Sequence, residues 1–162
     1  MLLAQEKKEI TIIHGGDFNK DEVKYPGASI FSKDDRQVQF EHQGIDLWCD
    51  LAVYYQKENK IQAYGNVFFQ QGDSIKMNSE YVEYDGTTKI ALAKEKVVLR
   101  NNSMTLNTEE LEFDRNKQEA FYDNFGTVKD SANVLTSDKG RYYMEIDKYE
   151  FKSDVKITNP DY

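Results

Sequence analysis

Apolar and polar positions recur along this chain with a period close to 29 residues. Large apolar residues stand at Trp48, Met77, Leu106 and Leu135, in steps of 29. Seven residues later a ring follows at Tyr55, Tyr84, Phe113 and Tyr142, again in steps of 29. Between them lie Val53, Val82, Leu111 and Gly140. A valine opens a second apolar run at Val67, Val97, Val128 and Val155, in steps of 30, 31 and 27. Self-similarity at such a period marks a repeat architecture, in which each unit buries its apolar face against the next. Val38 points to a further, degenerate unit near the N-terminus, with Ile12-Ile13-His14 as its first strand.

Each unit predicts two strands. Met77-Asn78-Ser79-Glu80-Tyr81-Val82-Glu83-Tyr84 alternates apolar and polar positions, as a half-buried strand does. The offset of five between Met77 and Val82 breaks the two-residue period, so a bulge or corner is expected near Ser79-Glu80. The second strand resembles Lys96-Val97-Val98-Leu99-Arg100. The segments 57–60, 85–88, 114–117 and 147–148 carry Asp, Asn and Gly and read as turns. Such short turns join antiparallel neighbours, because a parallel crossover needs a dozen or more residues. Helical periodicity is absent. The expected architecture is therefore all-β, with antiparallel units stacked so that their columns line one apolar slot and Glu80, Glu83, Glu109 and Glu112 face water. Domain organisation follows: residues 10–159 as one domain, and 1–9 as a flexible N-terminus. Met1-Leu2-Leu3-Ala4 reads either as a frayed end or as the remnant of a signal peptide. The stack has open edges and no evident cap after Ile157. Either it continues in another copy, or the chain is a piece of a longer one.

Composition narrows the picture. The chain has 162 residues, with 29 acidic against 21 basic side chains and a net charge of −8. That balance argues against non-specific nucleic-acid binding and against a polybasic membrane anchor. The aromatic content, 11 Tyr, 9 Phe and 1 Trp, opposes disorder despite the high charge. The two prolines, Pro26 and Pro160, leave the middle of the chain free of proline, as long strands require.

Candidate chemistry is sparse. His14 and His42 have no second histidine at ligand spacing, so no metal site is expected. Cys49 shares its column position with Asn78, Asn107 and Thr136 and reads as a buried structural thiol. The turn aspartates serve the backbone. No catalytic constellation is found, so an enzyme and a cofactor are not expected.

The run Cys49-Asp50-Leu51-Ala52-Val53-Tyr54-Tyr55, the segment Ala63-Tyr64-Gly65-Asn66-Val67, and Gln70-Gln71-Gly72-Asp73-Ser74 together resemble the OstA/LptA-like proteins. Glu83-Tyr84-Asp85 and Leu111-Glu112-Phe113-Asp114 match the strand-ending element of that family. The resemblance runs from about Ile10 to Asn159. It departs at Arg36-Gln37-Val38, Lys96-Val97 and Thr127-Val128, where Gly or Asn is replaced. It implies a V-shaped β-jellyroll in the periplasm that binds lipopolysaccharide or another acyl lipid and passes it between membranes. Its implied partners are other Lpt-type transport proteins and further copies of itself, joined head to tail through open edges. The implied acyl contacts are Trp48, Val53, Tyr55, Val67, Phe69, Met77, Val82, Tyr84, Val97, Leu99, Leu106, Leu111 and Phe113. Lys94, Lys96 and Arg100 would meet the headgroup. The alternative is a structural interaction module, with the same columns forming a dry core and the edges docking other proteins.

Overall fold

A computed structural model describes residues 8–159. The leader reading of Met1 to Ala4 lies outside the described residues. Sixteen strands follow one another without a helix: β1 Thr11–His14, β2 Asp17–Asn19, β3 Ser29–Ser32, β4 Val38–His42, β5 Ile45–Cys49, β6 Leu51–Tyr55, β7 Lys60–Gln71, β8 Ile75–Asp85, β9 Ile90–Arg100, β10 Thr105–Asp114, β11 Glu119–Tyr122, β12 Gly126–Lys129, β13 Val134–Ser137, β14 Lys139–Tyr143, β15 Lys148–Lys152 and β16 Lys156–Thr158. Every pairing is antiparallel, and the sixteen form one open sheet.

The pairing divides this sheet into two rows. One row runs β1-β4-β5, through the halves of β7 to β10 that hold Phe69, Met77, Leu99 and Leu106, and on to β12-β13-β16. The other runs β2-β3-β6, through the halves that hold Ile61, Tyr84, Ala91 and Phe113, and on to β11-β14-β15. The four long strands β7 to β10 belong to both. Their register slips where they cross, between Tyr64 and Val67, between Asn78 and Tyr81, and between Thr108 and Glu110. The bulge expected at Ser79-Glu80 is one of these slips. The inner faces of the rows share one buried cluster, and rings join across them: Phe69 packs on Phe113 with centroids 5.4 Å apart, and Phe40 on Tyr54 at 5.7 Å.

Register corrects the first repeat unit. Ladder partners link Phe40, Leu47, Phe69, Met77, Leu99, Leu106, Val128, Leu135 and Ile157 in one line. A second line links Tyr54, Ile61, Tyr84, Ala91, Phe113, Ala120, Tyr142 and Tyr149. The inward residues of the first unit are therefore Leu47, Ala52 and Tyr54, all buried in the cluster, instead of Trp48, Val53 and Tyr55. Trp48 and Tyr55 are half-buried on the opposite face, where Trp48 packs on Phe68. Val53 is buried, but on that same outer face beside Ile30 and outside the cluster. The first step is 30 residues, and a one-residue slip exchanges the two faces of a strand. Cys49 shifts with its unit and falls in line with Ser79, Thr108 and Ser137, all buried.

The irregular valine spacing has the same origin. Val97, Gly126 and Val155 stand at even steps of 29, so Gly126 and not Val128 occupies the third position. Gly126 is small because Tyr122 fills its space: a Cβ there would lie 2.6 Å from the Tyr122 ring. Gly140, at the position of Val82 and Leu111, would likewise meet that ring at 2.4 Å. One buried tyrosine thus replaces two missing aliphatic side chains.

The residues before each of these positions are left-handed. φ is +82° at Gly65 and +46° at Asn66, +67° at Glu95 and +53° at Lys96, +72° at Phe125, and +67° and +54° at Ser153 and Asp154. The replacement of Gly and Asn by Glu95 and Lys96 leaves this turn geometry intact, although non-glycine residues are strained there. The four-residue turns at the outer ends of the second row repeat in the same way. Each ends in a left-handed residue: Asn59, Lys89, Gln118 and Asp147.

Candidate functional site

The interior between the two rows is closed along most of its length. Val67, Phe69, Met77, Val82, Tyr84, Val97, Leu99, Leu111 and Phe113 are each no more than 1 % exposed. They pack on one another in one buried cluster. Cys49 shares this environment, and burial pushes its thiol up to about 12. It is a poor nucleophile at neutral pH. The small hydroxyls in line with it are satisfied locally. Ser79 Oγ donates to the carbonyl of Tyr81 at 3.0 Å, and Ser137 Oγ to that of Lys139 at 2.8 Å. Thr108 Oγ1 donates to the carbonyl of Phe125 at 2.7 Å. These bonds hold the corners where strands pass from one row to the other.

The packing loosens toward the C-terminal end. A gap of about 10 Å³, room for a single water at most, lies among Leu106, Tyr122, Val128, Tyr142 and Tyr149. Beyond it opens a cleft of about 330 Å³ lined by Met104, Val128, Leu135, Tyr149, Phe151 and Ile157, with Asp130 and Asn133 at its edge. Ile157 is 65 % exposed there. Tyr142, Tyr149 and Phe151 stack nearly parallel along one wall, with successive centroids 4.5 and 6.1 Å apart. Of the acyl contacts implied by the resemblance, only Leu106 reaches this region, at the small gap. Val128 and Leu135 belonged to the recognised columns, whereas Met104, Tyr149 and Phe151 had no repeat signal of their own.

The outer ends of the two rows are tied together by polar contacts. At the N-terminal end the His42 ring nitrogen Nδ1 meets Tyr84 Oη at 2.7 Å. Arg115 Nη1 donates to the same Tyr84 oxygen at 2.9 Å and to the carbonyl of His42 at 3.1 Å, and Nη2 donates to the carbonyl of Gln43. Arg115 Nε reaches Gln71 Oε1 at 3.1 Å, and Gln71 Nε2 donates to Gln118 Oε1 at 2.7 Å. Further along, Asn101 Nδ2 donates to the hydroxyls of Tyr142 and Tyr149 at 2.6 and 3.0 Å. Burial raises the pKa of Tyr84, of Tyr142 and of Tyr149, so all three stay neutral hydroxyls at physiological pH. His42 is a member of this rim and not merely a strand-end residue. His14 instead staples its own loop, with Nε2 2.8 Å from Asp34 Oδ1. The backbone N–H of Arg36, with that histidine second, holds the Asp34 carboxyl well below its usual range.

Lys94, Lys96 and Arg100 sit elsewhere. Lys94 pairs with Tyr81 and Glu110 on the outer face of β9. Lys96 is exposed at the bulge, and Arg100 donates to Asn78 Oδ1 at 2.9 Å, also outside. None of the three lines the C-terminal cleft. Among the described residues no group of His, Cys, Asp or Glu could hold a metal ion, and no helix is long and apolar enough to cross a membrane.

An open antiparallel sheet folded over an apolar interior, with bulged corners where its long strands pass from one row to the other, is that of a β-jellyroll. The chain matches the family model of OstA-like proteins over residues 7–162 and belongs to that family. No curated protein matches it.

Proposed function

We propose that the protein is a periplasmic carrier that holds the acyl chains of lipopolysaccharide, or of another acyl lipid, in the interior between its two rows. The observation that carries this reading is the apolar cleft at the C-terminal end, continuous with a two-row interior in an OstA-like chain. Burying a chain there contributes about 25 cal/mol per Å² of apolar surface removed from water, with no polar anchor required. The function is transport by noncovalent binding, without catalysis. Acyl groups enter at Met104, Val128, Leu135, Phe151 and Ile157, and the closed columns farther in would have to part to take more of them. Among the described residues β1, β2, β15 and β16 each have a ladder partner on one side, and such edges suit pairing with Lpt-type partners or with a further copy.

The tight packing around Phe69 and Phe113 favours a second reading, an interaction module with a dry core that docks proteins through those edges. One experiment separates the two. Purified protein is incubated with lipopolysaccharide, and native mass spectrometry with organic extraction reads bound lipid. The carrier reading expects bound acyl lipid, reduced at least tenfold by Leu135→Asp, a half-buried position whose change leaves the central core alone. A folded protein that binds no lipid supports the module. Undiminished binding by folded Leu135→Asp removes the cleft from the mechanism.

A further inference from the structure

The segment Lys8–Ile10 lies across the N-terminal end of the interior and bridges both rows. Ile10 is 4 % exposed and belongs to the central cluster. Its N–H donates to Asn59 Oδ1 at 2.9 Å, and its carbonyl accepts from Tyr54 Oη at 3.0 Å, both from the β6 side. The Lys8 carbonyl accepts from Asn59 Nδ2 at 2.9 Å and lies 3.0 Å from His42 Nε2, on β4 in the other row. Residues 8 and 9, expected to be flexible, are therefore held. Asn59 is wholly buried at its turn and is spent on this segment and on the N–H of Gly86, which meets its carbonyl at 2.8 Å.

The bonding around His42 assigns its protonation. Nε2 faces a carbonyl, which only accepts, so Nε2 carries the proton. Nδ1 then accepts from the Tyr84 hydroxyl, whose oxygen accepts from Arg115. A second ring proton would place two donors face to face at Tyr84, beside a guanidinium, in a residue that is 1 % exposed. We propose that Lys8–Ile10 is a proton-sensitive strap: charging His42 breaks the His42–Tyr84–Arg115 relay, frees the strap and opens the rim at the N-terminal end of the interior. The charged and titratable groups facing His42 are Tyr84 from β8, Arg115 from the β10–β11 turn, Lys89 from the β8–β9 turn and Glu41 on its own strand. Burial lowers the His42 pKa in the closed form, and the nearby Arg115 and Lys89 add to this; the hydrogen bond to the Lys8 carbonyl opposes it, as Glu41 does more weakly, and the net shift is downward. The released ring titrates near 6.5. Above that pH both forms are neutral and the strap is at full strength. Below it the open form binds the extra proton, so closure weakens as pH falls toward the lowered closed-form value. The strap's consequence for cargo rests on the carrier reading, but the strap itself does not.

The test reads amide exchange of Ile10 in the full chain, without lipid, corrected for intrinsic rates, between pH 7.5 and 5. Opening should rise up to tenfold per pH unit below about 6.5, while the Leu99 amide stays protected. His42→Gln keeps a donor and an acceptor but cannot charge, and should flatten the profile. Arg115→Gln removes a neighbouring cation, so the closed-form pKa of His42 moves up toward that of the released ring and the rise should be smaller and level off at a higher pH, which serves also if the histidine variant fails to fold. A pH-independent Ile10 amide in the wild type, an unchanged slope in His42→Gln, a rise of undiminished extent in Arg115→Gln, or parallel loss of Leu99 protection would each overturn the strap. Because no lipid is present, failure of the carrier reading leaves this result standing.

Discussion

Tyr122 and the glycines beneath it offer a quantitative test of how this repeat is packed. The ring is 2 % exposed and its hydroxyl lies 2.7 Å from Ser137 Oγ. A Cβ at Gly140 would meet Tyr122 Cε1 at 2.4 Å and Cζ at 2.6 Å, closer than real contacts allow. Restoring the repeat residue by Gly140→Val should therefore overpack the site and destabilise by about 1–3 kcal/mol. Tyr122→Ala opens a cavity and should cost about 3–5 kcal/mol, the range for large aromatic deletions. Ser137 is not orphaned by that change, because its hydroxyl still donates to Lys139. In the double variant the valine enters the space vacated by the ring, as Val82 and Leu111 do in their units. The two changes should then couple favourably by roughly 2 kcal/mol or more, well beyond the additivity error of about 0.5 kcal/mol for independent sites. Urea unfolding of the wild type, the two single variants and the double variant measures this directly. Additive effects, or a Gly140→Val variant as stable as the wild type, would refute the idea that one ring stands in for two aliphatic side chains.

Two further predictions concern the corners. Replacing Glu95-Lys96 by Gly-Asn, the pair that stands at 65–66, should stabilise by about 0.5–1 kcal/mol. The relieved left-handed strain exceeds the entropy that glycine adds to the unfolded chain, and a lowered denaturation midpoint would contradict the bulge assignment. Cys49, fully buried with its thiol pushed up to about 12, should resist alkylation at pH 8 in the folded state and react on unfolding; labelling at the rate of a free thiol in native buffer would show that the interior opens far more readily than its packing indicates.

Much of this architecture was legible in the chain. The all-β class, the antiparallel hairpins and the corner at Ser79 follow from alternation, spacing and turn chemistry. The OstA-like resemblance rested on the order of short elements, and the family match agrees with it. In the first unit, residue size points to the wrong face of each strand. Leu47-Trp48 and Tyr54-Tyr55 each offer two large apolar residues side by side, and size favoured Trp48. The alternation of Ile45, Leu47 and Cys49 held the correct answer, and the ladder pairs Leu47 with Phe69. The column Cys49, Ser79, Thr108 and Ser137 was equally readable as a row of small residues.

Other features depended on residues brought together from distant parts of the chain. No local pattern tells that Tyr122 occupies the space above Gly126 and Gly140, that Arg115 reaches His42 across 73 positions, or that Lys8 meets Asn59 across 51. Alternation along a strand is a property of neighbouring dihedrals and can be read from sequence. Which face turns inward after a bulge, and which polar groups meet along a rim, depends on long-range register, which only the assembled sheet supplies.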